Sequence, residues 1–465
     1  SRFGTSVLRG EWARLTPDGR LLVSLLALIL LGPYLPILDL VKLVGIDLAS
    51  GHQQARLDNV AIPAVAAYLL WRGYRTNRFR LPIHTIFYAV FLLWLGAMTA
   101  VWWSNIPADY SGSISRGVSL LSSAEAYVRP LLVLLIAANV QVSRTDMSIL
   151  IKLILAAAVS MSVIATLQLL PYTEDVINPF LARFYDNSAG SEAFWLVVEN
   201  GRAAALMPQL STLGMYLILA AALAAVFIFR IRSRRDSVVL GLLFGTILLG
   251  GMLSGSKIFP AGMGLLVVLS AIYVRAMPRI SPSKILVAVL LFVVVWAVAA
   301  LVFPDQSKSM RGRIFPDDGN YINQYFAGRF DPDTGKVFRN GAVDIAQDYP
   351  ITGLGMSVVN RTTDSMLLGI VIMSGVVGFT LYSIAIGLVL WRLWQISVSD
   401  QDRELKALAR TLTLLTIVFV VISVAFHTLI QDRAGDAYWL LVGLVIGPLA
   451  MKTGTAGELE PDSSA

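Results

Sequence analysis

Five cations set within or beside long apolar stretches have the most chemistry to offer: Arg116, Arg129, Arg202, Lys257 and Arg433. A charge near a hydrocarbon core is costly unless it snorkels, pairs or serves a function. Arginine forks match phosphate and carboxylate, and lysine adds a point charge, so the natural ligand of such a set is an anion. Glu125 precedes Arg129 by four residues, a spacing that makes this arginine either half of a structural ion pair or a substrate contact. Arg202 has only Glu199 nearby in the chain. Lys257 ends the stretch Leu253-Ser254-Gly255-Ser256-Lys257, a short turn whose small residues let a ligand approach the backbone. There is no cysteine, and the histidines are His52, His84 and His427. Disulfides, thiolate metal sites and cysteine nucleophiles are therefore excluded, and a multi-histidine metal site is not expected.

The elements that must position these groups are membrane helices. Of 465 residues, 56% are hydrophobic and 14% charged, where soluble domains have roughly 45–50% and roughly 25%. The expected fold class is an all-α integral membrane protein, one polytopic domain over residues 1–465. Apolar runs near 21–38, 59–71, 83–103, 120–141, 147–170, 203–229, 237–253, 258–274, 285–303, 366–391, 411–430 and 437–451 predict about twelve transmembrane helices. The first follows a basic stretch, as a signal peptide does. Its Pro33 and Pro36 without a small-residue cleavage site favour a retained helix.

Orientation follows from the basic residues, because short basic loops stay cytoplasmic. Arg72, Arg75, Arg78 and Arg80 fall on one side, with Arg230, Arg232, Arg234 and Arg235, then Arg275, Arg279 and Lys284, then Arg392, Arg403, Lys406 and Arg410. Both termini go with them. The net charge of +7 is thus mainly a topology signal, and no nucleic-acid partner is expected. The opposite side receives the long connections 39–58, 171–202 and 304–365.

The last of these is the informative one, since structureless loops beyond roughly 12–15 residues are functional or disordered. Residues 304–365 carry Phe315, Tyr321, Tyr325, Phe326, Phe330, Phe338 and Tyr349, interleaved with Arg311, Arg313, Arg329, Lys336, Arg339 and Arg361. Aromatic faces suit the C–H side of sugars and arginine forks suit phosphate, so carbohydrate or lipid-phosphate ligands fit. A self-packed cap with surface ion pairs has the same composition. Within it, residues 336–348 place Phe338, Ala342 and Ile345 on one face of an amphipathic helix that Pro350 ends, ahead of a flexible Gly353-Leu354-Gly355.

Here the sequence becomes familiar. Asp348-Tyr349-Pro350-Ile351-Thr352-Gly353-Leu354-Gly355 resembles the "PLxGxG" signature of the O-antigen ligase and Wzy polysaccharide polymerase family. Asp364-Ser365 stands where that family has a His-Asn or Asp-Asn pair, and Gly375 and Gly378 follow at the family's offsets. Gly201-Arg202 through Pro208 and Leu213-Gly214 resembles the family's "R…G.f..Pn.lg" helix start, and Ser254-Gly255-Ser256-Lys257 its "TxSR" turn. The likeness runs in matching order over residues of about 195–390. Two positions depart from it: Asp364 replaces the histidine of the ligase branch, and Lys257 keeps the charge of an arginine without its fork.

The resemblance implies a membrane-embedded, GT-C-like glycosyltransferase working without metal, cofactor or nucleotide sugar. Its donor is a glycan on undecaprenyl diphosphate, met at the periplasmic face of a bacterial inner membrane and transferred with inversion. The missing histidine favours a polymerase that extends a lipid-linked repeat unit over an O-antigen ligase that hands the chain to lipid A core. The donor diphosphate then falls to Arg202, Lys257, Arg329 and Arg339, with Arg129 and Arg433 as further cations. The sugars fall to Tyr321, Tyr325, Phe338 and Tyr349. Asp364 is the first candidate base, although an aspartate there also N-caps the next helix, and His427 beside Asp432-Arg433 is the second. Glu192 and Glu199 rank below both. Membrane lipids, a flippase and a co-polymerase are the expected partners. A lipid-linked-oligosaccharide flippase or transporter is the rival, yet no internal repeat is visible and the candidate cations gather on one face. An inactive scaffold of an export complex has the same sequence features.

Overall fold

The computed structural model describes residues 12–31, 57–77, 79–103, 116–170, 173–185, 195, 198, 202–203, 205, 207, 210–228, 234–276, 290, 293–295, 297, 301–303, 342–356, 363, 365–399, 403–430 and 433–449. Among them the ordered elements are helices, without a strand: α1 (Pro17–Leu31), α2 (Leu57–Arg75), α3 (Ile83–Trp102), α4 (Arg116–Asn139), α5 (Arg144–Leu169), α6 (Glu174–Tyr185), α7 (Leu210–Ile228), α8 (Arg234–Leu253), α9 (Ile258–Ala276), α10 (Ala342–Asp348), α11 (Met366–Val398), α12 (Arg403–Ile422) and α13 (Ala434–Leu444). By length and composition α3, α5, α11 and α12 can cross a membrane, and shorter apolar segments lie within α7, α8, α9 and from Ala434 to Gly447. An apolar chain forms helices because each peptide N–H and C=O then finds its partner within its own segment.

Charged side chains tie the helix ends and fix which ends lie together. At one end, the Asp18 carboxylate accepts from Arg72 Nη1 at 2.6 Å and Nη2 at 2.9 Å and from the Gln141 amide at 2.7 Å. Arg72 Nη2 also donates to the Asn139 carbonyl at 3.2 Å. Asp146 closes a capping box with Ser143 at the start of α5 while accepting from the Thr16 amide and hydroxyl, at 3.0 and 2.7 Å. The starts of α1 and α5 therefore meet the ends of α2 and α4. Elsewhere Tyr88 packs on Tyr382 and Trp94 Nε1 donates to Ser374 O, so α3 and α11 run antiparallel and Arg392 lies toward the start of α3. This is the basic end.

At the far end, α2, α4 and α13 are joined by Arg129, which is 5% exposed. Its Nη2 donates to Asp58 at 2.7 Å and Asp436 at 2.5 Å, and its Nη1 to Asn59 at 2.6 Å and Glu125 at 3.0 Å. Nε reaches the second oxygen of Asp436 at 3.4 Å. The expected Glu125–Arg129 pair is present as one strand of this larger network.

Several boundaries differ from the sequence expectation for local reasons. Within the run at 203–229, α7 begins at Leu210, and ahead of it Ala203 and Ala205 spend their amides on other elements. The run at 411–430 is shifted to Arg403–Ile422: Arg403, Lys406 and Arg410 form polar opening turns, and the helix stops where the Ser423 and Thr428 hydroxyls bond the Phe419 carbonyl. The amphipathic helix placed at 336–348 is observed over Ala342–Asp348 with Ile345 buried, while residues 336–341 and Phe338 lie outside the described residues. So do residues 304–341 and most of 285–303.

Removing one member of a buried charge network strands the others. Arg129→Met is expected to destabilise the protein by about 3–5 kcal/mol, read as a lower unfolding midpoint in detergent. The triple variant Arg129→Met, Asp58→Asn, Asp436→Asn should recover most of that loss. An unchanged midpoint for the single variant would show that Arg129 does not hold the bundle.

Candidate functional site

Two of the cations singled out in the sequence meet at the far end. Residue 202 is carried there by the segment before α7: the Ala203 amide donates to Leu253 O at 3.0 Å, the last residue of α8. The turn from α8 to α9 is closed by Ser254 Oγ donating to Gly251 O at 2.6 Å and accepting from the Ser256 amide at 3.2 Å. Gly255 has φ of 60°, and the Arg202 side chain lies across it, so that a Cβ there would sit 2.9 Å from Arg202 Cγ. Glycine is thus required twice, by its backbone angle and by the close approach. Arg202 is half-buried, and its Nε is enclosed without a hydrogen-bond partner among the described residues.

Lys257 follows two residues later and immediately precedes α9. A cation beside the N-terminus of a helix, where backbone N–H groups point outward, is a setting whose chemistry suits an anion. Arg202, Gly255, Lys257 and the first turn of α9 thus lie together at this end of the bundle.

Arg433 joins the same end, 2% exposed and with φ of 61°. Its backbone amide donates to Asp436 at 3.2 Å and its Nη1 lies 3.8 Å from Met207 Sδ, which brings the start of α13 to the segment holding Arg202. Arg129 does not belong with them. All five of its N–H groups are directed at Asp58, Asn59, Glu125 and Asp436, so in this structure Arg129 ties helices, the ion-pair alternative that the sequence left open beside a substrate contact. Asp58 and Asp436 were missed in the sequence, where each looks like an ordinary acidic residue in the first turn of a helix.

The glycines that carry the family resemblance also meet, around a break in α11. Gly375 has φ of 61° and ψ of −170°, which interrupts the helix and frees backbone groups. The segment after α10 takes them up. The Leu354 amide donates to Ile372 O at 2.9 Å, the Gly355 amide to Met373 O at 2.9 Å, and the Val376 amide to Pro350 O at 2.7 Å. Trp94 Nε1 of α3 takes the remaining Ser374 carbonyl at 2.8 Å, and Thr99 accepts the Met356 amide at 2.9 Å. A Cβ on Gly375 would stand 2.1 Å from Ile351 O. The Gly353-Leu354-Gly355 stretch, expected to be flexible, is instead bonded into the helix break. Tyr349, assigned to sugars, packs edge-on against Trp102 with ring centres 4.9 Å apart. Nothing in the sequence marked Trp94 and Thr99 as partners of residues 280 and 257 positions on.

Of the two candidate bases, His427 lies in the turn beyond α12, and its Nε2 is 3.1 Å from Thr363 O. A carbonyl only accepts, so this bond places the imidazole proton on Nε2 and leaves Nδ1 as the basic nitrogen of the neutral ring. Thr363 is the residue before Asp364 in the chain. Asp364 lies outside the described residues, as do Arg329, Arg339, Tyr321, Tyr325 and Phe338. Ser365, next to Asp364, supplies the cap of α11: its Oγ accepts the Leu368 amide at 3.2 Å. The capping role considered for Asp364 thus belongs to Ser365. No protein-family model and no curated protein matches the chain.

A methyl group at Gly375 collides with backbone and also demands an unfavourable φ. Gly375→Ala is expected to cost about 2–4 kcal/mol in detergent unfolding. Gly387→Ala on the same helix, where a Cβ meets open space, should change stability by no more than about 1 kcal/mol.

Proposed function

We propose that the chain is a polysaccharide polymerase of the bacterial inner membrane. It transfers a glycan from undecaprenyl diphosphate to the next lipid-linked repeat unit on the periplasmic side. One observation carries the proposal: Arg202 lies across Gly255, two residues before Lys257 and the start of α9, so two cations and a helix N-terminus converge on one small turn. The meeting of Gly353, Gly355 and Gly375 around the α11 break supports the family resemblance through a shared structural reason for those glycines.

In this reading the described helices other than α6 and α10, with the run near 285–303, make up about twelve spans. The basic end is cytoplasmic, and the far end with Arg202, Lys257, Arg433 and His427 faces the periplasm. The large connection 304–365 belongs to that face and supplies Arg329, Arg339 and the sugar-binding aromatics.

The reaction asks little of an acid. The bond from the anomeric carbon to the diphosphate oxygen breaks as the acceptor hydroxyl attacks from the opposite face. The electron pair leaves with the diphosphate, whose growing charge Arg202, Lys257 and Arg433 stabilise. The acceptor proton passes to a base, Asp364 in the first place and His427 Nδ1 in the second. Burial of the diphosphate against an apolar bundle strengthens each cation's hold on it, because screening by water is reduced.

The direct test incubates the purified protein in nanodiscs with undecaprenyl-diphosphate repeat units, without nucleotide. A ladder of longer lipid-linked glycans is the expected product, and transfer only to added lipid A core would replace the polymerase with a ligase. Lys257→Met should leave the protein folded and lower the rate by about 10²-fold; full activity would remove Lys257 from the site. Asp364→Asn leaves the Ser365 cap in place and should lower turnover by about 10²–10⁴-fold, whereas unchanged turnover would pass the role of base to His427.

A further inference from the structure

Gln168, in the last turn of α5, is fully buried and uses both ends of its amide. Its Oε1 accepts the Ala205 backbone N–H at 2.6 Å, and its Nε2 donates to Asn178 Oδ1 at 3.3 Å. Asn178, 3% exposed on α6, donates from Nδ2 to the Gln168 carbonyl at 3.1 Å. Helix α6 is seated for this purpose: Leu181 and Ala182 turn inward against Ile164 and Leu210, while Val176 and Phe180 turn outward. Two buried amides that satisfy one another and one backbone N–H form a rigid unit, since any rotation leaves a polar group stranded.

The backbone group they grip is unusual. Ala205 has φ of 49°, a left-handed conformation that alanine keeps only where its surroundings hold it. Two residues before it, the Ala203 amide is tied to Leu253 O; two residues after it, Met207 meets Arg433. Arg202, Gly255, Lys257 and Arg433 are thus registered against one another through a strained loop, and the strain is held by the Gln168–Asn178 pair.

Resting on the function proposed above, we infer that Gln168 and Asn178 are positioning residues. They hold the loop of Ala203, Ala205 and Met207 in the one form that lays Arg202 across Gly255 beside Lys257, and so set the affinity for the diphosphate of the donor.

The test uses the full chain in nanodiscs and two readouts: amide exchange over residues 203–207, and binding of undecaprenyl diphosphate without a glycan. Gln168→Met keeps length and burial but has no amide acceptor. It is expected to speed exchange at Ala205 and weaken binding roughly tenfold, the size of one lost hydrogen bond. The second variant is Ala205→Gly. Combined with Gln168→Met it should recover most of the lost affinity, because glycine adopts the left-handed form unaided. Such rescue distinguishes positioning from a general packing role. Unchanged exchange in Gln168→Met overturns the inference whatever the protein's activity. Faster exchange with unaltered affinity, or a loss that Ala205→Gly leaves in place, overturns it as well. Absence of diphosphate binding by the unaltered protein sinks the proposed function instead, and the exchange arm still decides whether the amide pair clamps the loop.

Discussion

A hydrogen-bonding group inside an apolar bundle must find its partner in the chain, and this constraint organises the molecule from helix cores to helix ends. Arg129 shows it for charge. One guanidinium takes up two aspartates, a glutamate and an asparagine from three helices, and each partner lies where the others need it. The break in α11 shows it for backbone. Once Gly375 leaves helical geometry, three carbonyls and an amide would be stranded; the segment after α10 is folded back to receive two of the carbonyls and the amide, and Trp94 of α3 takes the third carbonyl. The connection between two helices thereby becomes part of the bundle.

The same constraint distinguishes two arginines. Arg129 and Arg202 are the same residue type, set at the same end of the bundle. The first has every N–H engaged by protein acceptors, whereas the second packs its stem on a glycine and keeps an enclosed Nε without a hydrogen-bond partner among the described residues. Saturation of a buried arginine is what stability requires; incomplete satisfaction beside Lys257 and a helix N-terminus is what an anion would complete. Polar side chains at the far end follow this division. Asp58, Glu125 and Asp436 serve the tie, Gln168 and Asn178 serve the loop, and His427 bonds the carbonyl next to Asp364.

Positive-φ residues mark where the far end departs from regular helix. Gly255, Gly353, Gly355 and Gly375 allow it by lacking a Cβ, while Ala205 and Arg433 are held there by their neighbours. Such local cost persists only where the surroundings over-determine it. Its concentration around the segments bearing Arg202 and Arg433 matches the proposed placement of the diphosphate.

Apolar run length was enough to read an all-helical chain with helices able to cross a membrane, because the penalty for apolar surface in water acts on each segment by itself. The start of α3 and the turn at 254–257 were legible on the same ground. Ends and partners were not. Leu210 opens α7 and Ile422 closes α12 because Gln168, Leu253 and the Ser423–Thr428 hydroxyls claim backbone groups that a sequence window counts as helical. Arg129 could be read equally as ligand contact or ion pair until Asp58 and Asp436, 71 and 307 residues away, were brought to it. Composition and periodicity are sums over neighbours in the chain. Whether a polar group is satisfied depends on neighbours in space, and only the tertiary structure decides which those are.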